Sequence, residues 1–403
     1  MKKGNLIYGQ SGGPSAVINA SAYGVIKEAI LNTDVEQVIV MSHGIEGALE
    51  EEFHTLEDYV DQLELLPNTP ASAFGSCRYK LKDEDLAPLV EIFKKNNIRY
   101  FLYNGGNDSM DTCVRVNDYC KEVGYELYAI GIPKTVDNDL PFTDHTPGFS
   151  SAAKYIINTI MQIKLDSQVY KKGKVTIVEI MGRHAGWLTA SASVATKEGS
   201  GPDLIYLPER NIDIDTFIKE VDEVYSRQNN CLIAVSEGVK DMSGNFIGMM
   251  NQKKDAFGHT QLGGVAITLG SIIEEKLGLK YRAVELSTVQ RSASFMRSKT
   301  DVLEAIEVGR EAVRRVTSKE TGRMVVIKRI SNEPYLVEYD THDVREIANL
   351  EQIIPDSMIG EDNVTMTQEF FDYIYPLIDG GYKQHYSRGT QDFFQINKDK
   401  KTV

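Results

Sequence analysis

Cysteine is sparse in this 403-residue chain: there are four, Cys77, Cys113, Cys120 and Cys231. None sits in a CxxC or at a Cys/His spacing that would hold metal, which argues against a zinc module or a disulfide framework and suits a reducing cytoplasm. Basic charge is also short. Forty-four Lys and Arg against 58 Asp and Glu leave a formal charge of −14, which makes nucleic acid a poor partner, because phosphate backbones need clustered cations. The one basic run, Lys398–Lys401, reads as a solvated end. No stretch approaches the ~18 consecutive apolar residues of a membrane span. Met1-Lys2-Lys3-Gly4 leads straight into a short strand, leaving no room for the apolar region of a secretory signal. Both GxxxxGK[ST] and GxGxxG are missing, so the standard P-loop and dinucleotide-binding readings lose their support.

What is present is strand, loop and helix in alternation, which predicts an α/β protein with mainly parallel sheets. Strands are expected at Asn5–Gly9, Val35–Met41, Ile98–Tyr103 and Leu127–Ile132. The pattern restarts near 149, with the helix Ala152–Asp166 and strands at Lys174–Met181, Leu204–Leu207, Cys231–Val235 and Tyr281–Leu286. A helix at Val302–Thr317 and a strand at Met324–Ile330 follow. The length exceeds one ordinary core, so two domains are expected. The boundary falls at 148/149, and the chain is expected to return to the first domain around 290–345. The second, 149–289, would be completed by part of 346–403.

The loops that follow the strands carry the chemistry. Gly12 and Gly13 come directly after the first strand, where glycine lets backbone N–H groups and the next helix N-terminus approach an anion. The alternative is an ordinary tight turn. Gly105-Gly106-Asn107-Asp108-Ser109 repeats the arrangement with an acid added. A carboxylate beside a polyanion is unfavourable unless a cation such as Mg²⁺ lies between them, although Asn, Asp and Ser also suit a helix N-cap. Lys134-Thr135-Val136-Asp137-Asn138-Asp139 follows the next strand. Two carboxylates that close divide labour readily, one as a base and one near metal; the competing reading is a pair of Asx turns. If these strands are neighbours, all three loops surround one crevice beyond their carboxyl ends.

On these residues the chain resembles the phosphofructokinase family. The resemblance rests on Ser11-Gly12-Gly13, Gly105–Ser109, Pro133–Asp139, Met181-Gly182-Arg183, Ser236-Glu237-Gly238 and Val289-Gln290-Arg291, in the family's order. It implies two Rossmann-like three-layer domains, one for the phosphoryl donor and one for fructose 6-phosphate, with the active site in the cleft between them. The activity it implies is Mg²⁺-dependent phosphoryl transfer to the C1 hydroxyl of fructose 6-phosphate, a step of glycolysis and, in reverse, of gluconeogenesis.

By that resemblance Asp137 is the general base, Thr135 contacts the sugar end and the transferred group, and Asp139 lies near the metal. Met181, Gly182 and Arg183 line the sugar phosphate, and Arg183 also offsets charge in the transition state. Glu237 holds sugar hydroxyls. Lys174, Arg282 and Arg291, with Tyr281 beside them, fall at the sugar 6-phosphate. Some of these come from a neighbouring subunit in the family, which implies a homodimer or homotetramer. Gly12 belongs to the donor loop, and Asn107 and Asp108 to the metal end. Two positions depart from the common pattern: Asn107 replaces an aspartate associated with Mg²⁺, and Thr288 replaces the histidine of bacterial ATP-users.

ATP-using members usually carry glycine at the positions of Asp108 and Lys134, whereas pyrophosphate-using members resemble this chain at both. A carboxylate at 108 intrudes and repels where a nucleotide α-phosphate would lie, and an ammonium at 134 holds a compact diphosphate. Pyrophosphate is therefore the expected donor. An ATP-dependent 6-phosphofructokinase and a catalytically silent sugar-phosphate sensor are the alternatives; a dinucleotide oxidoreductase is more distant.

Overall fold

The computed structural model describes residues 3–248, 263–362 and 365–396; the Lys398–Lys401 run lies outside them. Two sheets organise the chain. The larger has seven strands in the order β11-β10-β5-β4-β1-β2-β3. These are β1 (Gly4–Gln10), β2 (Val35–Met41), β3 (Phe53–Thr55), β4 (Ile98–Gly105), β5 (Tyr128–Pro133), β10 (Arg323–Asn332) and β11 (Tyr335–Asp343). Its five inner strands run parallel, and β3 and β11 add antiparallel edges. The smaller sheet, β7-β8-β6-β9, is wholly parallel. It contains β6 (Val175–Ile180), β7 (Leu204–Tyr206), β8 (Cys231–Ser236) and β9 (Tyr281–Glu285).

The expected α/β architecture with mainly parallel sheets is therefore the observed one, with strand ends shifted by a residue or two. Central strands are short and apolar on both faces because helices cover both sides; Leu6, Ile7 and Tyr8 of β1 are each fully buried. The helices Ile18–Leu31 and Lys299–Thr317 cross one face of the large sheet. They approach so closely that a Cβ on Gly24 would lie 2.0 Å from the Ile306 carbonyl oxygen, and one on Gly309 2.1 Å from that of Ser21. The carboxy-terminal helix Gln368–Ile374 joins the core beside the small sheet, where Phe370 and Ile374 pack with Phe149 and Trp187. Among the described residues no helix is long and apolar enough to cross a membrane.

Two features of this topology fix the site. Chain order progresses outward from β1 through β2 to β3 on one side of the large sheet and from β4 through β5 and β10 to β11 on the other, so it reverses between β1 and β4. Ligands of open parallel sheets sit at such a reversal, beyond the carboxyl ends. The register sets those ends level: Gln10 pairs with Asn104, and Gly105 with Pro133. The loops after β1, β4 and β5 thus emerge side by side.

Candidate active site

A cleft of about 560 Å³ opens where these three loops meet the loops that follow β6 and β8. Its lining includes Gly12, Asn107, Asp108, Lys134, Thr135, Asp137 and Asp139 from the large sheet, and Met181, Arg183 and Glu237 from the small one. Arg291, from the short helix Val289–Ser292 beyond β9, completes the group. Gly182 lies one residue behind the lining, where its carbonyl accepts a hydrogen bond from Ser236 Oγ. This ties the loop after β6 to the end of β8. Gly238 brings the two loops closer still: a Cβ there would stand 1.8 Å from the Arg183 carbonyl oxygen.

The glycine end is strongly cationic. Lys134 is 4% exposed. Its Nζ donates to the Gly13 carbonyl at 2.6 Å and lies 3.3 Å from where a Gly12 Cβ would be. Burial lowers the Lys134 ammonium to about 8, against the pull of Asp139 and Asp137. Arg291 Nη1 and Arg78 Nη2 stand 3.1 and 3.9 Å from the corresponding point on Gly13. Three cations around two glycines, beside the N-terminus of the helix Asn107–Glu122, make a pocket for a compact polyanion. Arg78 was not among the residues expected at the site. Its loop is brought in by the Gly12 N–H, which donates to the Cys77 carbonyl at 3.0 Å, a contact with no local signal. Arg291, expected at the sugar phosphate, reaches the glycine end while remaining within the field of Asp137 and Glu237.

The acidic end lies opposite. Burial, with the Glu237 carboxylate nearby, pushes Asp137 well above the usual carboxylate range, while Lys134 and Arg183 hold it down. Burial and Asp137 push Asp139 up in the same direction. Asp137 N–H donates to Thr135 Oγ1 at 3.1 Å, which shapes the loop between them. Asn107 Nδ2 reaches Asp139 Oδ2 at 3.4 Å. The other oxygens of this pair, Asn107 Oδ1 and Asp139 Oδ1, are buried without a hydrogen-bond partner. Two orphaned hard oxygens at the mouth of an anion pocket suit Mg²⁺, which takes one or two protein oxygens and completes its shell from phosphates and water. No cluster of three or more His, Cys, Asp or Glu suited to a metal is found among the described residues.

A strap from the carboxy-terminal region also lines the cleft. Glu351 meets His184 Nδ1 at 2.7 Å, and Gln352 N–H donates to the Asp139 carbonyl at 2.7 Å. Asn349 Nδ2 reaches Asp111 on the helix beyond Asp108 at 3.3 Å. Neither the strap residues Asn349, Glu351 and Gln352 nor His184 was singled out from the sequence.

Three expected residues lie elsewhere. Lys174 immediately precedes β6, and Tyr281 and Arg282 begin β9. Parallel strands of that length span roughly 15–20 Å, so these residues sit at the amino-terminal end of the small sheet, opposite the cleft. Lys174 and Arg282 line a separate, open cavity of about 590 Å³. The Tyr281 ring packs instead where a Gly270 side chain would stand, and its hydroxyl lies 3.3 Å from Ser271 Oγ.

A phosphofructokinase family model matches residues 5–316, and the chain belongs to that family. The pyrophosphate–fructose 6-phosphate 1-phosphotransferase of Halomonas elongata is 43% identical over 94% of this chain and 93% of that protein. The Xanthomonas campestris protein of the same name is 42% identical over 94% and 93%. The crystal structure of a pyrophosphate-dependent phosphofructokinase from Nitrosospira multiformis superposes with a TM-score of 0.90, at 38% identity, over 98% of this chain and 96% of that one.

Proposed function

We propose that the chain transfers a phosphoryl group reversibly from pyrophosphate to the C1 hydroxyl of fructose 6-phosphate, giving fructose 1,6-bisphosphate and phosphate. One observation carries this reading. A single cleft holds a cationic pocket at Gly12, Gly13 and Lys134, with Asp108 beside it, and a carboxylate and arginine group at Asp137, Arg183 and Glu237. The relatives named for this reaction support it.

In this mechanism Lys134 and the Gly12–Gly13 loop hold the diphosphate while Glu237 orients the sugar. Asp137 takes the C1 proton. The sugar oxygen attacks the nearer phosphorus in line, the bond to the bridging oxygen breaks, and phosphate leaves into the cationic pocket. Arg183 offsets charge on the transferred group, and Thr135 holds the Asp137 loop. Such catalysis is alignment and neutralisation more than covalent chemistry. Asn107, Asp108 and Asp139 are the residues to hold Mg²⁺, which when bound neutralises diphosphate charge. Four buried, unpaired thiols agree with a reducing cytoplasm. A coupled assay on fructose 6-phosphate with Mg²⁺ tests the reading: turnover with pyrophosphate and little with ATP is expected, and the reverse preference refutes it.

The separation of Lys174 and Arg282 from the cleft supports a homo-oligomer in which they complete a neighbour's sugar-phosphate site. Co-expressing Asp137→Ala and Arg282→Ala chains, each nearly inactive alone, should then restore about a quarter of wild-type activity in a dimer. Half the dimers are mixed, and each of those holds one intact site. No recovery would mean that every site is complete within one subunit.

A further inference from the structure

Between the two carboxylates of the Asp137–Asp139 loop stands a residue to which the reaction gives no role. Asn138 is 2% exposed and has φ +57°. The turn sends its side chain away from the cleft that its two neighbours line. Tolerance of left-handed backbone would by itself explain an asparagine, but the hydrogen bonds ask for more. Asn138 Oδ1 accepts from the Thr146 backbone N–H at 2.9 Å. A backbone N–H only donates, so this contact fixes which way the amide faces. Nδ2 then donates to the Tyr373 hydroxyl at 2.7 Å, which in turn donates to the Asp144 carbonyl at 3.0 Å. Thr146 Oγ1 closes the circuit by donating to the Thr135 carbonyl at 2.8 Å.

Tyr373 is itself held from all sides. It belongs to the helix Gln368–Ile374, and its ring centroid lies 5.2 Å from that of Trp187. The Arg329 guanidinium sits 4.7 Å from the Tyr373 ring centroid, donates to the Tyr373 carbonyl at 2.9 Å and grips the Asp144 carboxylate at 2.8 Å. Asp144 also meets His145 at 2.8 Å, and His145 meets Glu304 at 2.6 Å. One side chain thus connects the carboxylate loop to a buried polar cluster built from the large sheet and the carboxy-terminal region. The loop needs such an anchor. Asp137 and Asp139 crowd each other, with Glu237 and Glu351 nearby, and mutual repulsion would otherwise let the loop relax.

We propose that Asn138 and Tyr373 are a positioning pair, through which the carboxy-terminal helix fixes Asp137 and Asp139 in their reacting orientation. The proposal rests on the reading of Asp137 as the base. A misplacement of about 1 Å costs of order 10² in rate, and one lost hydrogen bond about tenfold.

Asn138→Gly separates backbone from side chain, since glycine keeps the left-handed φ without strain but carries no anchor. Tyr373→Phe removes only the hydroxyl and keeps the packed ring. On the full-length protein, Asn138→Gly is expected to lower kcat about 100-fold and Tyr373→Phe about tenfold. The KM values for fructose 6-phosphate and pyrophosphate should stay near wild type; Tyr373→Phe leaves Asn138 Nδ2 and the Asp144 carbonyl short of a partner, so a moderate fall in its Tm is expected beside the lost kcat. Either variant turning over at the wild-type rate overturns the proposal, as does a loss confined to Tm or to KM. Asp137→Ala is measured alongside. If it is inactive while both positioning variants are normal, only this proposal falls; if Asp137→Ala itself turns over normally, the assignment of the base falls first.

Discussion

Asp137→Ala is expected to lower kcat by ~10²–10⁴-fold, the usual cost of losing a positioned base, with little change in the KM for fructose 6-phosphate. The split between the two constants follows from the geometry. Arg183, Glu237 and Met181 line the cleft independently of Asp137, so ground-state sugar binding keeps its contacts. What disappears is the acceptor for the C1 proton, which matters only as the oxygen attacks. The pH profile carries a second signature. Burial and the Glu237 carboxylate raise Asp137, and the nearby Lys134 and Arg183 cations limit the rise. The reaction uses the ionised form, so kcat/KM is lost as pH falls through that raised value. The acid limb should therefore lie above the ~3.9 of an ordinary aspartate. In Asp137→Ala that limb should change, leaving only what Asp139, which burial also raises, contributes. Near-normal turnover in that variant would remove Asp137 from the mechanism.

The parts of the site most legible in the sequence were those with local causes. Strands β1, β4 and β5 are buried on both faces, so each appears as a short, largely apolar run bounded by glycine or proline. The loops they deliver carry residue types that have few other reasons to follow a buried strand. Strand β11 was missed because it is a half-exposed edge, alternating intermediate and exposed residues. Strand β3 has only three residues. Arg78, His184 and Glu351 reach the cleft through contacts between distant segments, and no window of sequence holds that information. Lys174, Tyr281 and Arg282 teach a different lesson. Their position at the amino ends of parallel strands was already readable, and strand polarity alone separates them from residues that follow the carboxyl ends. Family likeness grouped them with the sugar contacts without saying which subunit's cleft they serve.

Replacing Asp108 and Lys134 together by glycine should shift the pyrophosphate-to-ATP ratio of kcat/KM towards ATP by at least ~10²-fold, since juxtaposed like charges cost several kcal/mol. The two substitutions act on opposite sides of the comparison. Asp108 sits in the first turn of the helix Asn107–Glu122 and lines the cleft, so its carboxylate faces whatever extends past the reacting diphosphate. Removing it should admit ATP, and because Asp108 is also one of the residues to hold Mg²⁺, pyrophosphate use should then need more Mg²⁺. The substitution also takes an acid from a helix N-terminus and puts glycine in the helix, which costs about 1–2 kcal/mol of stability. A lowered Tm is thus expected beside the gain and is separable from it. Lys134 works the other way. Its Nζ spans from the Gly13 carbonyl to the edge of Gly12, and losing it should raise the KM for pyrophosphate. Burial brings this ammonium down to about 8. It is charged below that value and neutral above it, so wild-type affinity for pyrophosphate should weaken as pH climbs past 8. In Lys134→Gly that basic limb should vanish. If the double variant keeps its use of pyrophosphate and gains none of ATP, donor choice does not reside in this corner of the cleft.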